Sequence, residues 1–296
     1  GRRDRRDLCG ERVTSAAANG STLAIDIGGT HCRVASVADD GRILASVICD
    51  TPRDGEPEAL AGSLWSAAER LRPGAPAGPA GVALPGLWDR ATGVMERAVN
   101  VPLLEGRDLR SYFATVLRRP VFVETDVIAA AWAQWQALTP RPARFLYLSL
   151  GTGVGGCVIL DGQIVRHTHE GAGHFGFLIV DTAPDAPAGR NGVPGCLSAA
   201  VSGQALEQAG SRMPPRAAEG LAVGLHQLTH IYAPDVIALG GGVIDNHPKL
   251  VTEAREAFER RRTGLVPAGM QIVDAALDSH DAGVIGVAAL ARAAGG

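Results

Sequence analysis

Apolar and polar positions alternate or cluster along the chain in blocks that predict a mixed α/β fold. Thr22 to Ile27 is a short apolar run that stops at Gly28-Gly29-Thr30. A second strand-like run, Cys32 to Val37, follows directly. Asp39-Asp40-Gly41 is a hairpin turn signal, and Arg42 to Cys49 forms the third strand of a meander. Pro57 to Arg72 reads as a helix that places Leu60, Leu64, Ala67 and Leu71 on one face, with proline at its start. Pro73 to Pro79 is a loop. Gly81 to Leu84 is a strand ending at Pro85-Gly86, Leu109 to Leu117 a helix, and Val121 to Glu124 a strand that runs into a helix over Val127 to Leu138.

The same grammar then repeats. Phe145 to Leu150 stops at Gly151-Thr152-Gly153, Cys157 to Leu160 follows, Asp161-Gly162 turns and Gln163 to Arg166 returns. Helical patterns cover Leu197 to Ala209 and Ala217 to Tyr232. Val236 to Leu239 is a buried strand ending at Gly240-Gly241-Gly242. A helix from Pro248 to Arg261, a strand from Met270 to Val273 and a helix from Ala282 to Ala294 complete the pattern. The two meanders start about 125 residues apart, a spacing that suits one modest domain each. The expected organisation is a flexible leader over 1–20, a small lobe over 21–126 plus 282–296, and a large lobe over 127–281, with a ligand cleft between the lobes.

Composition narrows the function. The chain has 296 residues, 46% hydrophobic and 20% charged, which is a globular balance. A net charge of −3 offers no basic field for nucleic acid. No apolar run reaches the roughly 18 residues of a membrane span, and no signal peptide is evident, so a cytoplasmic protein is expected. Of the 28 Lys and Arg residues only Lys249 is lysine, and its context is not a Walker-type phosphate loop. The five cysteines (Cys9, Cys32, Cys49, Cys157 and Cys196) are scattered and read as reduced thiols.

Four segments carry chemistry. In Asp26-Ile-Gly-Gly-Thr30, two glycines let backbone amides approach a phosphate, Thr30 adds a hydroxyl, and Asp26 at a strand end suits Mg²⁺ held through water. Gly151-Thr152-Gly153 repeats the logic in the second half. An ordinary hairpin turn accounts for either one alone but poorly for two in equivalent positions. In Glu124-Thr125-Asp126, a carboxylate where a strand meets a helix suits a general base, against the plainer reading that Asp126 only caps the helix. Gly240-Gly241-Gly242 is another bare-backbone strand end where a flat ligand can rest.

Together these segments resemble the ROK family of sugar kinases and repressors, within the actin-like ATPase superfamily. The resemblance runs from Thr22 to the last helix. It implies two actin-like (ribonuclease H-like) α/β lobes, an ATP and Mg²⁺-dependent kinase, and a homodimer. Asp126 falls on the family's catalytic base. Asp26, Gly28, Gly29, Thr30, Gly151, Thr152 and Gly153 fall on its phosphate loops, and Gly240, Gly241 and Gly242 on its adenosine-side loop. Pro85, Gly86 and Asn100 fall on its sugar side, and Ala172-Gly173, Gly195-Cys196-Leu197 and Ser202-Gly203 match its signature region.

The departures from the family pattern are concentrated on the acceptor side. Thr125 stands where the family has a sugar-binding Asn, His174 where it has Glu, Phe177 where it has a His shared by sugar and zinc, and Ser198 where it has Glu. The zinc loop reads Gly189 to Cys196, with only Cys196 retained, so the structural zinc is expected to be absent. A rewired site built from His167, His169, His174 and Cys196 is the competing reading. Four altered polar contacts, each worth on the order of 1–3 kcal/mol, should shift substrate choice. The expected acceptor is a primary alcohol of an atypical sugar-like polyol: a C7 cyclitol of the valiolone or valienone type, or a modified hexose. The alternatives are a glucokinase or N-acetylhexosamine kinase and, from a different class, a non-catalytic sugar sensor. Against the sensor, the 20-residue leader is too short for a helix-turn-helix domain.

Overall fold

The computed structural model describes residues 12–13, 20–52, 55–71, 78–98, 100–166, 173–189, 192–210, 213–214 and 216–295. Most of the expected leader and of the 73–79 loop, together with Cys9, His167, His169 and Ala172, lie outside these residues. The described chain divides into two compact units. The first covers residues up to 133 and 280–295, and the second covers 134–166 and 173–279.

In chain order the first unit opens with β1 (Arg12–Val13), β2 (Ser21–Ile27), β3 (His31–Ala38), β4 (Ile43–Asp50) and α1 (Pro57–Arg70). Next come β5 (Ala80–Leu84), a small hairpin of β6 (Leu87–Trp88) and β7 (Met95–Arg97), and a 3₁₀ turn over Pro102–Leu104. Then follow α2 (Leu109–Leu117), β8 (Val121–Thr125) and α3 (Asp126–Ala137), the last running on into the second unit. That unit contains β9 (Arg144–Leu150), β10 (Val154–Leu160), β11 (Gln163–Ile164), a 3₁₀ turn over Phe175–Phe177, α4 (Leu197–Val201), α5 (Gly203–Gln208) and α6 (Ala217–Tyr232). β12 (Val236–Gly240), α7 (Gly242–Asn246), α8 (Pro248–Glu259) and β13 (Gln271–Asp274) follow, and α9 (Ser279–Gly295) returns to the first unit. Among the described residues, no helix is long and apolar enough to cross a membrane.

The first unit's main sheet has the order β1-β4-β3-β2-β5-β8, with β2, β5 and β8 parallel to one another and the meander β2-β3-β4 antiparallel. Period-two alternation along each strand separates two faces. Leu23, Ile25, Ile27, Val34, Val47, Val82 and Leu84 pack with Leu60, Leu64 and Phe113 of α1 and α2. Each fully buried aliphatic side chain there contributes roughly 1.5–3 kcal/mol. The opposite face carries Ala24, Ala35 and Ala83, which meet Ala129 of α3 and Val284, Val287 and Ala288 of α9. Small side chains on this face let those helices lie close to the strands. α9 also meets the first unit through glycine. A Cβ on Gly286 would collide with the carbonyl of Ala129, and one on Gly81 with the carbonyl of Val287.

The second unit has a sheet of order β11-β10-β9-β12-β13, antiparallel at β11-β10-β9 and parallel at β9-β12-β13. Its core joins Leu146, Leu148, Ile237 and Leu239 to Leu221 and Leu225 of α6 and to Leu250 and Ala254 of α8.

Three expectations need correction. The helix expected over Leu197 to Ala209 is two helices, because Ser202 is extended (φ −78°, ψ 159°) and its hydroxyl caps the second by accepting from the Ala205 amide at 3.1 Å. The hairpin β6–β7 was not foreseen, since strands of two and three residues leave no readable alternation. Within the expected leader, Arg12–Val13 pairs antiparallel with Ala45 and Ser46 of β4.

The glycine contacts of α9 predict that Gly286→Ala destabilises the protein by about 1–3 kcal/mol through overpacking against the Ala129 carbonyl. Chemical denaturation measures this. An unchanged midpoint would show that the helices can separate at no cost.

Candidate active site

In the first unit, β2 and β8, the two parallel strands that flank β5, deliver carboxylates at their C-terminal ends. Asp26 lies on β2 opposite Ala83 of β5, and Ala83 in turn lies opposite Glu124 of β8. Asp126 follows two residues later as the first residue of α3. Both acids have pKa values raised by their surroundings. Asp26 is pushed from 3.8 up to about 7, chiefly by desolvation and then by the charge of Asp126, with Arg33 opposing. Asp126 is also raised, by desolvation, against the hydrogen bond its Oδ1 accepts from the Val127 amide at 2.8 Å.

Local chemistry explains how these groups are held. Thr125, expected on the substrate side, caps α3: its hydroxyl accepts from the Ile128 amide at 3.2 Å. Asp126 thus shares the first-turn amides of α3 with Thr125, its Oδ1 taking that of Val127. Beneath them Glu124 is fully buried and paired with Arg90, whose Nη2 meets Oε1 and whose Nη1 lies 3.4 Å from Oε2. Glu124 Oε1 also accepts from the Thr125 amide at 2.9 Å. The Arg90 guanidinium sits 5.5 Å from the Trp88 ring centroid. The β6–β7 hairpin loop thus ties down the end of β8 through Arg90.

α9 covers Asp26. Gly283 packs against the Asp26 carboxylate so closely that a Cβ would strike Oδ2. Arg33 on β3 fixes the start of α9 by donating to the His280 carbonyl at 2.8 Å and pairing with Asp281. The Gly28-Gly29-Thr30 turn closes beside Asp26, the Gly28 amide donating to the His31 carbonyl at 2.9 Å. Thr51 pins it from below, donating from Oγ1 to the Gly28 carbonyl at 2.7 Å and from its amide to the Thr30 carbonyl at 2.9 Å. Asn100 meets the same turn: a Cβ on Gly29 would lie 3.2 Å from Asn100 Cβ. Pro85-Gly86 follows β5, and Gly86 fits against Met95 and the Arg97 carbonyl of β7. Asp26, Gly28, Gly29, Asn100, Thr125 and Asp126 are thus set around the ends of β2 and β8.

The second unit assembles the other expected residues. The Gly151 amide donates to the Gly153 carbonyl at 2.9 Å, closing the β9–β10 turn through Thr152. The Gly203 amide at the start of α5 donates to the Gly151 carbonyl at 2.8 Å, which the break at Ser202 makes geometrically available. Gly241, at φ 98°, lies against Leu150: a Cβ would sit 2.6 Å from the Leu150 carbonyl oxygen. Only glycine adopts this backbone at such close approach. Gly240 and Gly242 flank it, so the 240–242 and 151–153 segments adjoin. Next to them Gly176 packs on the Val154 carbonyl and on Ser198 Oγ. His174 and Phe177 flank Gly176, their rings 6.4 Å apart and Phe177 52% exposed. Cys196 is fully buried. Among the described residues, no three His, Cys, Asp or Glu side chains group as a metal site. His167 and His169 fall outside those residues.

Four contributors escaped the sequence reading: Thr51, Arg33, Arg90 and Gly283. A glycine inside the helical pattern of α9 was the readable sign for the last.

Both units carry the actin-like α/β arrangement, a glycine-lined first turn opening an antiparallel meander joined to parallel strands. Comparison with known proteins agrees. The ROK family profile matches residues 22–220 and 208–294, and the chain belongs to that family. It is similar to the ROK hexokinase of Thermus thermophilus, with 31% identity and TM-score 0.78 over 93% of this chain and 98% of that one. It is 27% identical to the glucokinase of Streptomyces coelicolor over 92% of this chain and 98% of the relative. An N-acetylmannosamine kinase of Salmonella paratyphi B is 32% identical over 64% of each chain.

The raised Asp26 has a consequence for stability. Its folded pKa of about 7 exceeds the ordinary 3.8, so between these values the folded state holds the proton more tightly. Its contribution to stability is therefore largest below about pH 4 and is lost as pH rises towards 7. Asp26→Asn should raise the unfolding midpoint at pH 8 more than at pH 5, measured by thermal denaturation. An equal effect at both values would show that Asp26 ionises as an ordinary carboxylate.

Proposed function

We propose that this ROK-family protein is an ATP-dependent kinase that phosphorylates a primary hydroxyl of a sugar-like polyol. The observation that carries this reading is the placement of Asp26 and Asp126 at the ends of β2 and β8 beside a glycine turn, where the charge of Asp126 helps raise the Asp26 pKa. The sugar-kinase names of the relatives support it.

Asp126 is assigned as the base that takes the proton from the acceptor hydroxyl as its oxygen attacks the γ-phosphate. Its raised pKa brings it nearer to neutrality, which strengthens a carboxylate as a proton acceptor. The Arg90–Glu124 pair and the Thr125 cap hold its backbone, so its position is set before substrate arrives. The backbone at Gly28 and Gly29, and that at Gly151 and Gly153, is assigned to the phosphate chain, and the 240–242 segment to the adenosine end. Hydrogen bonds directed at developing phosphate charge are the principal means of catalysis in such transfers.

A divalent cation fits this donor set. Two desolvated carboxylates with raised pKa values, the charge of one raising the other, are an arrangement that a hard dication relieves, and Asp26 would hold it. When bound, Mg²⁺ supplies charge neutralisation on the phosphate oxygens. For zinc the donor set does not fit. Phe177 and the 189–195 loop offer no imidazole or thiolate where the family resemblance would place them, which leaves Cys196 alone.

The acceptor assignment rests on Thr125, His174, Phe177 and Ser198, which replace the family's amide, imidazole and carboxylates. An exposed phenyl ring at 177 and the Thr125 hydroxyl committed to helix capping leave fewer groups for a hexose's anomeric end. We assign an atypical acceptor, a C7 cyclitol or a modified hexose. The names of the relatives favour the alternative of a hexose or N-acetylhexosamine kinase.

One assay separates these readings. ATP consumption is followed over glucose, N-acetylmannosamine, a β-glucoside and C7 cyclitols. The expected result is highest kcat/KM on a cyclitol or modified hexose; preference for glucose would overturn the acceptor assignment. Asp126→Asn should lower kcat by about 10²–10⁴-fold with ATP binding retained. Equal turnover by the variant would remove Asp126 from the chemistry, and ligand binding without turnover in the wild type would identify a sensor.

A further inference from the structure

β3 and β4 place two cysteines directly opposite one another, Cys32 against Cys49 in the antiparallel register. Directly opposed residues hold their Cα atoms about 4.5–5.5 Å apart, within the span of a disulfide. Two residues along each strand, the Thr51 amide donates to the Thr30 carbonyl. By the alternation of the ladder, Cys32 and Cys49 therefore occupy a hydrogen-bonded pair, where Cβ atoms stand further apart. A bridge there is strained, and strained bridges are the readily reduced ones.

The thiols already influence each other: the neighbouring Cys32 lowers the Cys49 pKa while Cys49 and burial raise that of Cys32, and Arg70 also favours the Cys49 thiolate. Access follows the same division: Cys49 is partly exposed, whereas Cys32, Cys157 and Cys196 are buried. A partly exposed thiolate with a proton-holding thiol beside it is the arrangement of an attacking and a resolving cysteine. The pair also adjoins the glycine turn. Cys32 Sγ lies 3.1 Å from Thr51 Oγ1, and that hydroxyl holds the Gly28 carbonyl.

We propose that Cys32 and Cys49 form a reversible thiol–disulfide site, oxidised by a small-molecule disulfide, whose closure loosens the Gly28-Gly29 turn. The Cys49 thiolate attacks one sulfur of the small disulfide and expels one thiolate. Cys32 then gives its proton to solvent, attacks the Cys49 sulfur of the mixed disulfide and expels the second thiolate. The two cysteines lose two electrons and two protons, and the small disulfide becomes two thiols. Closure draws Cys32 Sγ towards Cys49 and away from Thr51, and Thr51 loses the partner that orients it under Gly28. This consequence for nucleotide rests on the phosphate-turn reading above.

The test equilibrates the full chain in glutathione buffers of increasing oxidised fraction, alkylates remaining thiols in acid and maps non-reduced peptides by mass spectrometry. The expected product is a Cys32–Cys49 cross-linked peptide that disappears when reduced glutathione is restored, with Cys157 and Cys196 alkylated throughout. In Cys32→Ser, Cys49 should stop at the glutathione mixed disulfide. Cys32 and Cys49 that stay alkylatable in fully oxidised buffer would overturn the proposal, as would oxidation confined to Cys9 or to bridges between chains. ATP titration should then show binding weakened about fivefold or more in the oxidised form. Equal affinity in the two forms would overturn the link to the turn. A reversible bridge in a protein that binds no ATP in either form would sink the kinase reading and leave the thiol site standing.

Discussion

The arrangement depends on holding two like charges near each other in a poorly solvated place. Asp26 and Asp126 each lose hydration, and Asp26 additionally feels the charge of Asp126. Left to themselves, such groups would move apart or take up protons. The fold prevents the first through parallel strands that fix both ends, a glycine of α9 that lets the helix backbone press on Asp26, and an Arg90–Glu124 pair that holds the end of β8 two residues before Asp126. The second, a raised affinity for protons, is what the proposed base role of Asp126 would draw on, and the proposed cation at Asp26 would relieve the same crowding of charge.

The second unit works differently. Its expected ligand segments, 151–153 and 240–242, present backbone, and their geometry is set by close packing: Gly241 on Leu150, and Gly203 on Gly151. Backbone amides lend themselves to phosphate without regard to what the acceptor is. The proposed acceptor side is instead written in side chains, of which His174, Phe177 and Ser198 lie around Gly176. In the proposed assignment, recognition of the phosphate donor and of the acceptor would therefore rest on different kinds of group, so that the second could change while the first stays.

Much of this was legible in the sequence because the elements that matter are strongly patterned. Strand-length apolar runs ending in glycine located both first turns, and a carboxylate at a strand–helix junction located Asp126. What escaped was what acts across the chain. Arg90 sits in a polar loop and acquires meaning only when β7 folds back and brings it to Glu124, 34 positions away. Thr51 ends a strand like many threonines, and its value lies in the Gly28 carbonyl across the sheet. The apolar pattern over 197–209 reads as one helix, whereas the tertiary bond from Gly203 to Gly151 favours a break at Ser202. The cysteines looked scattered in sequence, yet the β3–β4 register pairs two of them.

The coupling of Asp26 to Asp126 is tested most directly by carbon NMR titration of the side-chain carboxylates in the wild type and in Asp126→Asn. The account predicts that Asp26 titrates near 7 in the wild type and that its midpoint falls in the variant, part of the way towards an ordinary carboxylate because desolvation remains. An Asp26 midpoint near 4 in the wild type, or one that Asp126→Asn leaves unmoved, would contradict it.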